Sequence, residues 1–262
     1  MPKEIEHTSL PKEDFFEIRD NIFLRKKDFE AYASILDIPI YRYINFDMLY
    51  NLLNDKLIVW RKGGFSDLHE CGKNQNPFGH QLKCVGVETT SEDINRWNNI
   101  EAMRINTADW LTTCFSKDAN NDYFFWRCYT SNWLGARYKT TLAKILDNLV
   151  LDDKYSLIIG SMQYYETEYY GNNLSQYIFH KINAYKHEQE LRIYFIPKEP
   201  NLVQNKNSSV EFHINSYAMI EDILFSPFSS HHQRATLSQL FKLRFPLFQN
   251  RMDFSRIIEK QK

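Results

Sequence analysis

Glycine and proline are scarce in this chain, eight of each in 262 residues, below the roughly 7% glycine of an average protein. That scarcity excludes collagen-like and linker-rich architectures and argues against folds built on glycine-rich nucleotide loops. Four cysteines are too few for a disulfide scaffold in a chain of this length. Charge of one sign is missing as well. With 32 basic and 33 acidic side chains the net charge is -1, so no global field draws the chain to nucleic acid or anionic lipid. No apolar run approaches bilayer length, and the polar start Met1-Pro2-Lys3-Glu4 lacks an apolar signal core. The expectation is a cytoplasmic protein with no membrane partner. No Walker loop, dinucleotide glycine fingerprint, Gly-x-Ser-x-Gly elbow or kinase motif set is present.

What the chain has is apolar and aromatic mass. Hydrophobic residues make up 43% and aromatic residues 15%, with 19 Phe and 16 Tyr, enough for a substantial, sheet-rich core. Phe15, Ile18, Ile22, Phe29, Tyr32 and Leu36 stand at helical spacing among charges and predict one or two amphipathic helices over residues 14–36. This gives an N-terminal helical segment 1–37 ahead of a single domain 38–262. Strands are expected over residues 38–44, 57–60, 110–116, 135–139, 157–165, 191–196, 210–214 and 220–225. Helices are expected over 46–53 behind an Asn45 cap, from Ser91, and over 122–129, 141–150, 173–187 and 229–245. Strands and helices mix without a regular period, which predicts an α+β fold: a mixed, largely antiparallel central sheet with helices packed around it.

Several residues can carry chemistry. Lys186-His187-Glu188-Gln189-Glu190 places two carboxylates two residues apart just before the clearest strand, and in extended chain both project to one side. Such a pair can stabilise positive charge at a ribose carbon or orient a nucleophile, or bind a divalent metal. The plainer alternative is pairing with Lys186 and Arg192. Arg42, inside an apolar strand and flanked by Tyr41 and Tyr43, serves a phosphate or carboxylate, or stacks on tyrosine at the sheet face. Thr112, Thr113 and Ser116 place hydroxyls on a strand, and Trp126 and Tyr129 can stack on a base or fill the core. His69, Cys71, His80 and Cys84 lie in one stretch but lack close zinc-ligand spacing, so no metal is assigned. Cys114 and Cys128 read as core filling. His231 and His232 read as solvated.

Ile40-Tyr41-Arg42-Tyr43, Ser66-Asp67-Leu68-His69-Glu70, Cys114-Phe115-Ser116, Trp126-x-x-Tyr129, Gly135 and Glu188-x-Glu190-x-Arg192 occur in that order. The series resembles the bacterial family known as domain of unknown function 2971, from about Ile38 onward. The loop departs from that family's usual Asn-Asp-Pro-Phe-Glu while keeping the carboxylates Asp67 and Glu70. More distantly, the order of Arg42, a hydroxyl motif at Thr113 or Ser116, and Glu188-x-Glu190 resembles mono-ADP-ribosyltransferases, some of which are toxins or phage-defence effectors. That resemblance implies NAD as substrate and an unidentified protein or nucleic-acid acceptor. Glu190 and Glu188 would be catalytic, and Arg42, Tyr43, Thr113, Ser116 and Trp126 would bind NAD. Two other readings stay open: a metal-dependent nuclease or phosphoesterase using Asp67, Glu70, Glu188 and Glu190, and a non-enzymatic recognition module.

Overall fold

The structure is a computed structural model that describes residues 10–11, 13–61, 91–118, 123–130, 134–166, 173–199, 202 and 209–253. In chain order the strands are β1 (Phe15–Arg19), β2 (Ile22–Arg25), β3 (Pro39–Asn45), β4 (Lys56–Arg61), β5 (Leu111–Ser116), β6 (Gly135–Thr141) and β7 (Tyr155–Ser161). They continue with β8 (Gln163–Tyr165), β9 (His180–Ile182), β10 (Glu190–Pro197), β11 (Ser209–His213), β12 (Asp222–Phe225) and β13 (Met252–Asp253). The fold is mixed α+β with mostly antiparallel strand pairing and helices packed around the strands, as the sequence predicts. Among the described residues no helix is long and apolar enough to cross a membrane.

The chain divides into two compact units. The first comprises Met1–Glu30, Val59–Thr113 and Asp152–Val210. In it β1 and β2 form an antiparallel hairpin, β2 runs parallel to β7, and β7 pairs antiparallel with β10 from Leu191 opposite Ser161 to Pro197 opposite Tyr155. The parallel pair β8–β9 is a separate ribbon. Phe15, Trp110, Ile158, Met162, Ile178, Phe179, Tyr194 and Ile196 pack into this unit's core, with Tyr194 edge-on to both Trp110 and Phe179.

The second unit comprises Ala31–Ile58, Cys114–Leu151 and Glu211–Lys262. Here β3 pairs antiparallel with β6 along its whole length, β6 with β12, and the end of β5 meets β3 where Ser116 faces Tyr41. Helix Phe46–Leu53 follows β3 directly, because the Asn45 side chain accepts from Met48 N and so satisfies a free amide of its first turn. Helix His231–Arg244 opens on a capping box of Ser230 and Gln233.

Three expectations are corrected. The helices predicted over residues 14–36 are realised only as Tyr32–Asp37, with a 3-10 turn at Lys26–Asp28; residues 15–25 form the β1–β2 hairpin. Its turn passes through Asp20-Asn21, where Asn21 takes φ 60, a conformation asparagine tolerates, and Glu17 accepts from Asn21 N. The helix predicted over 173–187 is broken into helix Leu174–Ile178, strand β9 and a 3-10 turn at Asn183–Glu188. The strand predicted over 157–165 is interrupted at Met162, whose amide donates to Glu190 O.

Gly135 opens β6 where no side chain fits: a Cβ there would stand 2.4 Å from Ile44 O and 2.5 Å from Thr130 Cγ2. The Gly135→Ala variant is therefore expected to lose about 1–3 kcal/mol of stability, read as an earlier midpoint in urea unfolding.

Candidate functional site: a buried carboxylate cluster

The carboxylates of Glu188 and Glu190 meet in the first unit, by a route the sequence pattern does not describe. Glu188 ends a 3-10 turn, Gln189 takes the left-handed conformation at φ 42, and Glu190 begins β10. The kink, rather than strand alternation, turns both acids onto one cation. Lys181 Nζ donates to Glu188 Oε2 at 2.7 Å and to Glu190 Oε2 at 2.9 Å. Arg192 grips Glu190 with Nε at 2.5 Å from Oε1 and a second nitrogen at 3.0 Å from Oε2. The side chains of all four are at most 5% exposed.

The surroundings hold the cluster in register. Arg192 donates to Tyr194 Oη, which donates to the Ile178 carbonyl. Tyr164 Oη accepts the Glu190 amide at 2.9 Å, and burial raises its phenol pKa. The plainer sequence reading paired the acids with Lys186 and Arg192; Arg192 is indeed a partner, and Lys181 is the second cation. Lys181 was missed because it lay inside a stretch read as helix. Among the described residues the cluster pairs two acids with two bases.

The opposite face of the β8–β9 ribbon is different in character. Gln163 stands opposite His180 in the register, and Tyr164 opposite Lys181, so the first pair faces away from the cluster. His180 Nε2 lies 3.0 Å from Gln163 Oε1. Its pKa is lowered to about 4, first by burial and then by the charges of Arg25 and Lys27. Gln163 and Arg25 line a cavity of about 320 Å³ in this unit. Arg25 is itself buried, its Nε bonded to Asp28 at 2.9 Å, and Asp28 also accepts from Ser161 N.

The other predicted residues are placed as follows. Thr113 lies in the first unit, buried on β5, and its Oγ1 has no hydrogen-bond partner among the described residues. Arg42, Tyr43, Ser116 and Trp126 belong to the second unit. Arg42 is half-buried with its guanidinium 6.0 Å from the centre of the Phe115 ring. Tyr43 stacks on Phe125 at 5.0 Å and meets Trp126 edge-on at 4.9 Å. Trp126 is 0% exposed, so neither face of its indole is open for stacking, although its Nε1 has no partner among the described residues. Ser116 Oγ is occupied in a turn with the backbone of Asp118.

In the helix Tyr123–Tyr129, Phe125 and Trp126 are buried and Tyr129 is exposed, and Cys128 is exposed rather than core filling. Cys114 is half-buried. His231 and His232 are exposed, as expected. Asp67, Glu70, His69, Cys71, His80 and Cys84 lie outside the described residues. Among the described residues no three His, Cys, Asp or Glu side chains gather as metal ligands would.

Comparison of the chain with protein-family models, curated proteins and solved structures finds no match.

Two predictions follow from this geometry. Glu190→Ala removes both carboxylate contacts of Arg192 and leaves Lys181 with Glu188 alone, and is expected to cost about 3–5 kcal/mol. Glu188→Ala leaves Lys181 with Glu190 and should cost clearly less; denaturant unfolding of the two variants side by side checks the order. The second concerns pH. Folded His180 stays neutral down to about pH 4, while an unfolded histidine charges near 6.5, so the unfolded chain takes up the proton first. Its contribution to stability is complete above about pH 6.5 and is lost as pH falls toward 4. A Tm series over that window should fall less steeply in His180→Gln than in the wild type.

Proposed function

We propose that the chain is an NAD-using enzyme of the ADP-ribosyl-transfer class, with Glu188 and Glu190 as its carboxylates and a protein or nucleic acid as acceptor. The observation that carries this reading is the convergence of the two acids on Lys181. A buried set of two acids and two bases is a costly means of holding a fold, since apolar residues of similar volume often serve stability as well or better. Chemistry gives such a set a reason to exist. The resemblance to the domain-of-unknown-function family and to ADP-ribosyltransferases supports the reading through the order of motifs alone.

In this proposal Glu190 accepts a hydroxyl of the nicotinamide ribose. It also stabilises the positive charge that builds on the ribose carbon as the bond to the nicotinamide nitrogen breaks and nicotinamide leaves with the electron pair. Glu188 orients the acceptor, whose nucleophile forms the new bond to that carbon and releases its proton to solvent. For the carboxylates to act, Lys181 and Arg192 must release oxygens they now hold. Of the candidates for NAD binding, Thr113 belongs to the same unit as the carboxylates, and its buried, unsatisfied Oγ1 is a hydrogen-bonding group of the kind such a ligand uses. A purely structural clamp is the second reading, favoured by the engagement of both Glu190 oxygens at 4% exposure of the residue.

Nicotinamide release from NAD by the purified chain separates the two. Wild type is expected to release nicotinamide, and Glu188→Gln to lower the rate on the order of 10²-fold while unfolding within a few degrees of wild type. Glu190→Gln should abolish release but also lower the Tm, which is why Glu188 is the cleaner probe. No release by wild type, together with no heat of NAD binding, would leave the clamp as the role of the cluster.

A further inference from the structure

The cavity on the other face of the β8–β9 ribbon is a separate feature of the first unit. Its volume of about 320 Å³ lies within the roughly 300–1,000 Å³ typical of small-molecule sites. Its charged lining comes from Glu13, Asp14, Arg25, Lys26 and Lys27, with Gln163 among the neutral polar residues. Both signs of charge are therefore present in one small space.

Two of these groups are buried and incompletely used. Arg25 is 3% exposed. Its Nε is committed to Asp28 and its guanidinium lies 5.3 Å from the centre of the Phe179 ring, while its two terminal nitrogens make no hydrogen bond to any described residue. Asp14 is 8% exposed and receives one long bond, from Ser175 N to Oδ2 at 3.4 Å; Oδ1 makes none among the described residues. Burial raises the Asp14 carboxyl pKa, against the Ser175 hydrogen bond and the Lys26 charge, which lower it. No ion pair joins Asp14 to Arg25 among the described residues, so a buried acid and a buried base line one cavity without neutralising each other.

We propose that this cavity binds a small zwitterion of the α-amino-acid class, with its carboxylate on the Arg25 guanidinium fork and its ammonium on the Asp14 carboxylate. The planar fork suits a carboxylate. A simple anion would be drawn to Arg25, Lys26 and Lys27 but would meet Glu13 and Asp14; a simple cation would meet the reverse. A ligand carrying both charges gives Asp14 a counter-charge and gives the terminal nitrogens of Arg25, whose Nε is already paired with Asp28, an acceptor. The site does not depend on Glu188 or Glu190, so it stands or falls apart from NAD cleavage.

The test uses the whole chain. Each of the twenty free α-amino acids, and inorganic phosphate, is added at millimolar concentration and the Tm is read; the best stabiliser is titrated by calorimetry beside its des-amino and des-carboxy analogues. The expected result is a one-site isotherm for the amino acid and at least tenfold weaker binding of each analogue. Asp14→Asn keeps an acceptor for Ser175 N, so it should fold, and it should weaken the amino acid at least tenfold while leaving the des-amino analogue unchanged. The proposal is overturned if no amino acid shifts the Tm, if phosphate stabilises more than any amino acid, or if Asp14→Asn binds as wild type does.

Discussion

One buried ammonium organises the first unit. Lys181 has a side chain 4% exposed, and a charge so far from water costs several kcal/mol unless opposite charge is brought to it. The chain between residues 179 and 192 reads as the solution to that constraint. It leaves the helix at Ile178, lays three residues of β9 beside β8, turns through a 3-10 segment, and places Gln189 in the left-handed region so that Glu188 and Glu190 both arrive at Lys181. β10 then alternates: Glu190, Arg192 and Tyr194 form a polar row joined by hydrogen bonds. Between them Leu191, Ile193 and Phe195 are fully buried apolar residues. The row ends where Tyr194 donates to the Ile178 carbonyl, which ties the strand back to the helix the chain had left.

Local signals carried much of the fold, and where they failed the reason is tertiary. Asn45 before Phe46, Leu49, Leu52 and Leu53 was legible because cap and apolar face are both local, and the helix stands where expected. The Glu190–Pro197 strand was legible from its apolar alternates. Residues 173–187 were not, because the break at Phe179 is imposed by pairing of His180 and Lys181 with β8, and no residue type near 179 announces it. The β1–β2 hairpin was misread for another reason: Phe15, Ile18 and Ile22 fit a helical period by coincidence. The decisive signal was the Asp20-Asn21 turn pair, with Asn21 at positive φ. Among the site residues, the Glu188 and Glu190 convergence was foreseen from the right residues by the wrong geometry.

The second unit shows how one strand divides two roles. On β3, Tyr43 is buried against Phe125 and Trp126, with Leu224 completing the cluster. Tyr41, two residues earlier, lies under the Arg137 guanidinium at 4.7 Å. Arg42 projects to the opposite face, where it lies beside Phe115 and stands opposite Tyr138 in the register. There the Arg42 charge works against burial, which raises the Tyr138 phenol. The aromatic neighbours of Arg42 in the sequence are thus not its neighbours in space, and alternation along the strand is enough to explain why.

The β8–β9 ribbon sets the sharper contrast, because its two faces treat charge in opposite ways. On the face of Tyr164 and Lys181 two acids meet two bases at hydrogen-bond distance among the described residues. On the face of Gln163 and His180 Arg25 is paired with Asp28, but Asp14 meets no base at ion-pair distance among the described residues, and the charges of Arg25 and Lys27 add to burial in holding His180 neutral to about pH 4. Matching consumes the bonding capacity that a ligand would use, so the matched face must be opened before it can do chemistry. The other face keeps an acid and a base buried, apart and incompletely bonded, which is the state a binding site must be in before its ligand arrives. Burial alone would have singled out the first; unspent hydrogen-bonding groups single out the second.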